Sequence, residues 1–193
     1  MKLTYLTLTV LFLVGCASAP EPKTTYLMRS DVILESREFH HTEVPVCLAQ
    51  INVANYLDQP GIVTVEANGA LHVSNYNLWA EPLRKSLRSF LSMELSAALR
   101  EDILIDERQH PDALLVDIRI DQLHGDADGY AVLVAFWSYE LSGERVEFQY
   151  TQRRPLKKDG YAALVEAQQQ VLSGLAFEIG SELNARRQQA AEL

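Results

Sequence analysis

The segment WAEPLRKSLRSFLSMELSAALRED, residues 79–102, decides the predicted fold because it is the clearest helix in the chain. Pro82 suits the first turn of a helix, where its missing N–H costs nothing. Apolar residues then recur at helical spacing along one stripe, and charged residues occupy the remaining surface. The stripe consists of Leu83, Leu87, Phe90, Leu91, Leu95, Ala98 and Leu99. The segment therefore predicts a long amphipathic helix that packs against a core.

Strand patterns precede this helix. A short strand is expected at YLMR, residues 26–29, and a longer one over residues 44–54. One face of the longer strand would carry Cys47, Ala49, Ile51 and Val53. The break DQPG, residues 58–61, separates it from the strand IVTVEA. Asn68-Gly69 is typical of a hairpin turn that returns the chain as ALHVSNY.

A second group of strands follows the helix. After a short strand at 103–105, LLVDIRIDQL at 114–123 alternates apolar and charged residues, as a strand with one wet face does. GYAVLVAFWSYEL, residues 129–141, is apolar on both faces over its middle, which is typical of a central strand. RVEFQYT, residues 145–151, alternates again. A final helix is expected from about Tyr161 to Arg187, followed by a polar tail that frays.

The order of strands, helix, strands and helix predicts the fold class. It suits one α+β domain, in which an antiparallel or mixed sheet carries both long helices on one face. The domain is expected over residues 26–188, because neither an internal repeat nor a second domain boundary is visible.

The N-terminus reads as a lipoprotein export signal. Lys2 precedes an apolar run over residues 3–14, which is too short to cross a bilayer as a helix but suits a secretory signal. The run ends in LVGC, typical of a bacterial lipobox, so residues 1–15 are predicted to be a signal peptide and Cys16 to be acylated. An ordinary signal peptide with a chance cysteine is the alternative. Residues 16–25 are then a lipidated N-terminus and extended tether, and no Asp follows Cys16 to favour inner-membrane retention.

Charge and cysteine content exclude several functions. The formal net charge is −9, which disfavours nucleic-acid binding and attraction to anionic lipid. With Cys16 acylated, Cys47 is the one remaining thiol, so no internal disulfide is predicted and Cys47 is expected to be buried and inert. The lipid on Cys16 is the one covalent group expected, and no other cofactor is predicted.

Catalytic patterns are not evident in the sequence. It contains no G-x-S-x-G elbow, no H-E-x-x-H and no glycine-rich phosphate loop. His40 and His41 are adjacent and would point to different sides of a strand, which is a poor geometry for one metal ion. DQLHGDAD, residues 121–128, lacks the spacing of a calcium loop and is predicted to be a solvated hairpin tip. Neither a catalytic nor a metal site is therefore predicted.

The segment YLDQPGIV, residues 56–63, is interpreted as a structural and docking loop. Asp58 before Gln-Pro-Gly is ordinary turn chemistry, and nothing nearby in sequence supplies the partner group that a catalytic base needs. Trp79 is either a core residue or an anchor at a protein interface, where Trp and Tyr are enriched. The candidates for partner binding are Tyr56, Leu57, Asp58, Pro60 and Trp79, of which Tyr56 and Leu57 are candidates for either a partner contact or the core.

These segments resemble a known family. The lipobox, YLMR and residues 46–99 are similar to the ABC-type transport auxiliary lipoprotein family, whose pattern has YLDRPQIVTR-like text, an N-x-L turn and RWAEPL at the start of a helix. Here these read YLDQPGIVT at 56–64, NGAL at 68–71 and WAEPL at 79–83. The departures are Gln59, Gly61, Val65 and Leu78. Basic residues are common in the family where this chain has Val65 and Leu78, which puts in doubt any partner contact that those basic side chains would make.

The resemblance implies a non-catalytic lipoprotein on the periplasmic face of the outer membrane. Such proteins work beside MCE-domain proteins, which form lipid conduits, often with an ABC ATPase and permease. This chain would be the adapter at the outer-membrane end, and a homo-oligomeric ring would suit a symmetric conduit. The alternatives are a lipoprotein activator of a cell-wall synthase, which would normally have a longer tether, and a periplasmic hydrolase, which would need a nucleophile–base pair.

Overall fold

A computed structural model describes residues 21–32, 44–105, 113–141 and 144–191. These residues form one α+β domain, as predicted, with a mixed sheet of seven strands and two long helices. The strands are β1 Thr24–Tyr26, β2 Val46–Val53, β3 Gly61–Val65, β4 Leu71–Trp79, β5 Leu114–Gly125, β6 Tyr130–Leu141 and β7 Glu144–Pro155. The helices are α1 Leu83–Leu99 and α2 Tyr161–Ala191.

Strand β5 organises the sheet. The strand order is β1-β4-β3-β5-β6-β7, and β2 pairs with β5 alongside this path. Both β2 and β3 run parallel to β5, β2 along its first part and β3 at its end, where Thr64 lies opposite Gly125. The residues between β2 and β3 therefore form a loop that connects two strands paired with the same neighbour, β5. β5, β6 and β7 form an antiparallel meander, with β6 central as predicted.

Both helices cover the same face of the sheet, and the core lies between the two layers. The predicted stripe of α1 is buried, except that Ala98 is half-buried. A Cβ added to Gly180 of α2 would lie 2.8 Å from the Cβ of Ala98, so the two helices meet closely there. Val116, Ile118 and Ile120 of β5 point into this core, which confirms the alternation predicted for that strand.

Several element boundaries differ from the prediction, including those of β7, which was expected over residues 145–151 and spans Glu144–Pro155. The first strand begins at Thr24, so the last two residues of the predicted tether already belong to the sheet, paired with β4. Residues 103–105 form no named strand, because Leu104 makes only one isolated bridge to Cys47. The end of the last helix was predicted wrongly, since α2 continues to Ala191. Arg187 explains this extension, because it donates to the carboxylate of Glu101 and to the carbonyl of Val44.

Several predicted features lie outside the described residues. They are the signal peptide, Cys16, most of the tether, and the His40–His41 pair. Cys47 is buried, as predicted. Neither of the described helices has an apolar stretch long enough to cross a membrane.

The β5–β6 hairpin tip is smaller than the sequence suggested. Asp121 and His124 belong to β5, and His124 is buried, so they do not share the turn with Asp126 and Asp128. Asp126 organises the tip, because its carboxylate accepts the backbone N–H groups of Asp128 at 3.0 Å and Tyr130 at 2.9 Å. Arg153 of β7 also donates to Asp126 at 2.7 Å. Burial acts to raise the pKa of Asp126, but these donors outweigh it and the pKa is lowered.

The lowered pKa of Asp126 predicts an acid-dependent contribution to stability. A depressed pKa means that the contribution is present above the unfolded-state value and is lost as pH falls through the folded-state value. We expect Asp126→Asn to lower the free energy of unfolding at neutral pH by about 1 kcal/mol, because a neutral acceptor replaces a charged one. Urea titrations of both proteins at several pH values should show the difference shrinking at acidic pH. A constant difference across the range would contradict this assignment.

Candidate docking site

The loop between β2 and β3, residues 54–60, is held by its own backbone hydrogen bonds. The N–H of Leu57 donates to the carbonyl of Ala54 at 2.9 Å, and the N–H of Gln59 donates to that of Leu57 at 2.8 Å. The side-chain amide of Gln59 also donates to the carbonyl of Tyr56. The predicted turn is therefore confirmed, and its backbone is fixed by contacts within the loop.

Tyr56 and Leu57 attach this loop to the domain. The hydroxyl of Tyr56 donates to the backbone carbonyl of Asp121 on β5 at 3.1 Å. Burial and, to a lesser degree, the charge of Asp121 raise the pKa of Tyr56. The side chain of Leu57 is only 1% exposed and belongs to the hydrophobic core. These two residues therefore position the loop, and Leu57 presents no side-chain surface to a partner.

Trp79 joins the same loop to the start of α1. Its side chain is 8% exposed and packs in the core, which confirms the core interpretation. The backbone N–H of Trp79 donates to the carbonyl of Pro60 at 2.7 Å. The backbone N–H of Ala80 donates to the carbonyl of Tyr26 at 2.8 Å. The entry to α1 is thus hydrogen-bonded to the loop on one side and to β1 on the other.

Gly61 is required where β3 leaves the loop. A Cβ at this position would lie 2.4 Å from the backbone carbonyl oxygen of Ser74 and 2.5 Å from the side chain of Val73. The β3–β4 register shifts between Gly61 and Val63, so the β4 backbone approaches Gly61 at this irregularity. Gly61, a departure from the family pattern, therefore has a structural reason in this chain.

The loop and the helix entry enclose a cleft. It has a volume of about 290 Å³ and is lined by residues 58–60 and 79–83. An ion pair connects its two sides, since Arg84 donates to Asp58 at 2.9 Å, with both side chains nearly half exposed. Glu81 is likewise paired with Lys85, at 3.3 Å. The cleft therefore combines apolar walls with neutralised charges near its mouth.

The cleft contains only some of the residues expected from the sequence. Asp58, Pro60 and Trp79 line it, whereas Tyr56 and Leu57 do not. The prediction did not include the rest of the wall, residues 80–83, or Arg84. The signal was present, because WAEPL is one of the segments that resemble the family, but it was interpreted only as a helix start. Whether these residues bind a partner remains a prediction.

The chemistry of the cleft suits binding. Its two carboxylates, Asp58 and Glu81, are both engaged by basic side chains. Across the part of the chain that the structure describes, no group of three or more His, Cys, Asp or Glu side chains is placed to hold a metal ion.

Comparison with known proteins identifies the family. Residues 26–180 match the model of the ABC-type transport auxiliary lipoprotein component, which is most of the chain. The chain belongs to this family. The auxiliary lipoprotein is 24% identical over 185 residues to the intermembrane transport lipoprotein PqiC of Escherichia coli K12, covering 95% of this chain and 98% of that relative.

Solved structures share the fold of this auxiliary lipoprotein. A crystal structure of an uncharacterized protein matches with a TM-score of 0.71 and 22% identity, covering 84% of this chain and 99% of the other. A protein from Xanthomonas campestris matches with a TM-score of 0.63 and 18% identity, covering 90% and 99%. Both likenesses concern the fold alone.

Proposed function

We propose that this auxiliary lipoprotein is a non-catalytic adapter in an MCE/ABC-type intermembrane lipid transport system. The lipid on Cys16 anchors it to the periplasmic face of the outer membrane, and two or more acyl chains give stable anchoring. Family membership supports a role as a transport component, and the relative in Escherichia coli is named an intermembrane transport lipoprotein. The proposed partner is an MCE-domain protein at the outer-membrane end of a lipid conduit.

The observation that carries this proposal is which sequence segments form the walls of the cleft. Its walls come from the two segments that resemble the family most closely, residues 56–64 and 79–83, although they are separate in sequence. The bond from Trp79 to Pro60 and the ion pair between Asp58 and Arg84 hold them together. A concave, largely apolar site on a fixed backbone suits the insertion of a partner's side chains.

A ring of several copies belongs to the same proposal. A conduit with rotational symmetry is capped most simply by a ring that shares its axis. The short tether agrees with this arrangement, because β1 begins at Thr24, only eight residues after Cys16, and keeps the domain near the membrane surface.

The first experiment is affinity capture from separated outer membranes. We expect the full lipidated chain to fractionate with the outer membrane and, in mild detergent, to retain an MCE-domain protein identifiable by mass spectrometry. Recovery of a cell-wall synthase without an MCE protein would instead support the alternative function. Recovery of the chain in the inner membrane would contradict the proposed location.

A variant in the cleft tests the docking surface itself. Ala80 is exposed and lines the cleft, so Ala80→Arg should place a long charged side chain at the binding surface with little effect on the fold. We expect at least a tenfold loss of the captured MCE protein, because a charge buried without a partner costs several kcal/mol at an interface. Ala162→Arg, on an exposed position of α2 outside the cleft, is the matched control and should capture normally. Equal capture by both variants would exclude the cleft as the docking surface.

A further inference from the structure

Strand β7 forms a long free edge of the sheet. It pairs with β6 along all twelve residues, from Tyr130 opposite Pro155 to Leu141 opposite Glu144, with no shift of register. Among the residues that the structure describes, no strand pairs with its other side. In an antiparallel strand, alternate residues direct both their N–H and C=O groups to the same side. About half of the backbone groups of β7 therefore point outward, ready to pair.

Three common devices that protect a sheet edge are not found along β7, although the strand does carry charged side chains. Proteins shorten edge strands, interrupt them with bulges, or place proline within them. The opposite edge follows this rule, since β1 has three residues. β7 has neither a bulge nor an internal proline, because Pro155 is its last residue. An edge of this length and regularity is a template for another strand.

The side chains of β7 are complementary to those of a second β7. We propose that two copies of this chain pair through β7, antiparallel about a twofold axis at Tyr150, so that one sheet continues into the other. In this register Glu147 of each copy faces Arg153 of the other, and Gln149 faces Thr151. All four of these residues are exposed on the face opposite the helices. Two cross-strand pairs of opposite charge therefore form, and pairs of this kind stabilise adjacent strands.

Neighbouring registers lack this charge match. Centring the pair on Gln149 would place Arg145 opposite Arg153, a like-charge contact that destabilises a sheet. Centring it on Thr151 would place Glu147 opposite Pro155 and Gln149 opposite Arg153, so no pair of opposite charge forms. Arg153 is already oriented by Asp126 and Asp128, at 2.7 Å from each. Its guanidinium also lies over the ring of Tyr130 on β6, 3.8 Å from the ring centre, so contact with Glu147 of the second copy requires it to turn toward the edge.

The helical layer leaves room for the second copy. α2 lies close behind β7 at Gly174, where an added Cβ would be 2.4 Å from the hydroxyl of Tyr150. By helical spacing the same flank of α2 carries Ser181 and Ala185, both small and exposed, and Phe177, which is 68% exposed and would lie beside the second copy. Glu178 also lies on this flank. Burial and, to a lesser degree, the charge of Glu178 raise the pKa of Tyr150. Pairing would bring the Glu178 carboxylates of the two copies closer together, and they would repel each other. The two Glu147–Arg153 contacts offset this repulsion.

This contact is isologous, so it closes after two copies. A ring of the kind proposed above must therefore use another surface of the chain. Both contacts can coexist only in a double-layered assembly. The pairing at β7 is thus independent of the proposed transport function, and the two can be tested separately.

Disulfide trapping with two different copies tests the register. Tagged full-length Gln149→Cys and Thr151→Cys chains should crosslink when mixed in detergent, because directly opposite Cα atoms lie about 4.5–5.5 Å apart. Each variant alone should crosslink much less, since two copies of the same position lie on a diagonal of about 7–8 Å. Glu147→Cys mixed with Thr151→Cys reports the alternative register centred on Gln149. Efficient trapping of that control pair, or no trapping in any mixture, would overturn the proposal.

The mass of the unmodified lipidated chain in detergent gives the second measurement. We expect sedimentation to detect the paired species, and we expect Gln149→Lys combined with Thr151→Lys to raise its dissociation constant at least tenfold by opposing like charges. Both positions are exposed, so the fold should be retained. A monomeric wild-type chain would refute the pairing. An assembly unaffected by the double variant would show that copies associate through another surface, which refutes it equally.

Discussion

Replacing Arg187 by Ala is expected to lower the free energy of unfolding by roughly 1.5–3 kcal/mol, the usual contribution of hydrogen bonds to a charged group. Arg187 donates to both carboxylate oxygens of Glu101, at 2.8 and 3.0 Å. Glu101 is only 3% exposed, whereas Arg187 is 29% exposed, so the pair is buried on its carboxylate side. The same guanidinium donates to the carbonyl of Val44 at 2.9 Å. Chemical denaturation at neutral pH measures the change.

Two further variants test whether the loss of stability comes from the contact between Arg187 and Glu101 or from the removal of any positive charge. Lys85→Ala removes a basic residue from the exposed pair with Glu81 on α1, and such pairs contribute about 0–1 kcal/mol. Arg187→Lys keeps the charge but cannot donate in the same forked geometry, so an intermediate loss is expected. If Arg187→Ala and Lys85→Ala had equal effects, the link between the end of α1 and α2 would not stabilise the domain.

This ion pair also shows where local sequence reasoning stops. Five of the last nine residues are polar or charged, and a chain terminus of this kind is expected to fray unless other contacts hold it. The partner of Arg187 lies 86 positions earlier in the chain, so no local pattern could indicate it. By contrast, α1 and β6 were predicted correctly, because the pattern of apolar residues reflects which faces an element buries. α1 buries one face and shows one apolar stripe, whereas β6 is apolar on both faces.

The candidate site was predicted in its segments but not in its individual side chains. Sequence indicated residues 56–63 and the start of α1, and the structure brings both together around one cleft. It could not tell which apolar residues of a loop point inward, because a loop has no period that fixes side-chain direction. Leu57 and Trp79 therefore became core residues, and the exposed wall at Ala80 was overlooked.

The role of Gly61 was also beyond the sequence. It depends on an irregular register between β3 and β4, where the carbonyl of Ser74 comes within 2.4 Å of a virtual Cβ. Such a close approach is produced by pairing between strands, and a single sequence records only the glycine. A glycine after proline fits an ordinary turn equally well.

Leu57→Ala is expected to lower the free energy of unfolding by roughly 2–5 kcal/mol, as truncation of a buried leucine does. The side chain is 1% exposed and packs in the hydrophobic core. Leu71→Ala is the matched control, because Leu71 is 52% exposed on β4, and a change within about 0.5 kcal/mol is expected. Leu57→Met should recover most of the stability, since it nearly conserves volume.

The same variant distinguishes a supporting residue from a contacting one. If Leu57 acts only through the core, Leu57→Ala should still capture the MCE protein at temperatures where circular dichroism finds it folded. Ala80→Arg should show the opposite behaviour, with normal stability and lost capture, because Ala80 lies on the exposed wall of the cleft. Loss of capture by a fully folded Leu57→Ala chain would mean that partner binding depends on the exact position of the loop backbone. The loop's hydrogen bonds to Trp79 and Asp121 would then be part of the recognition site.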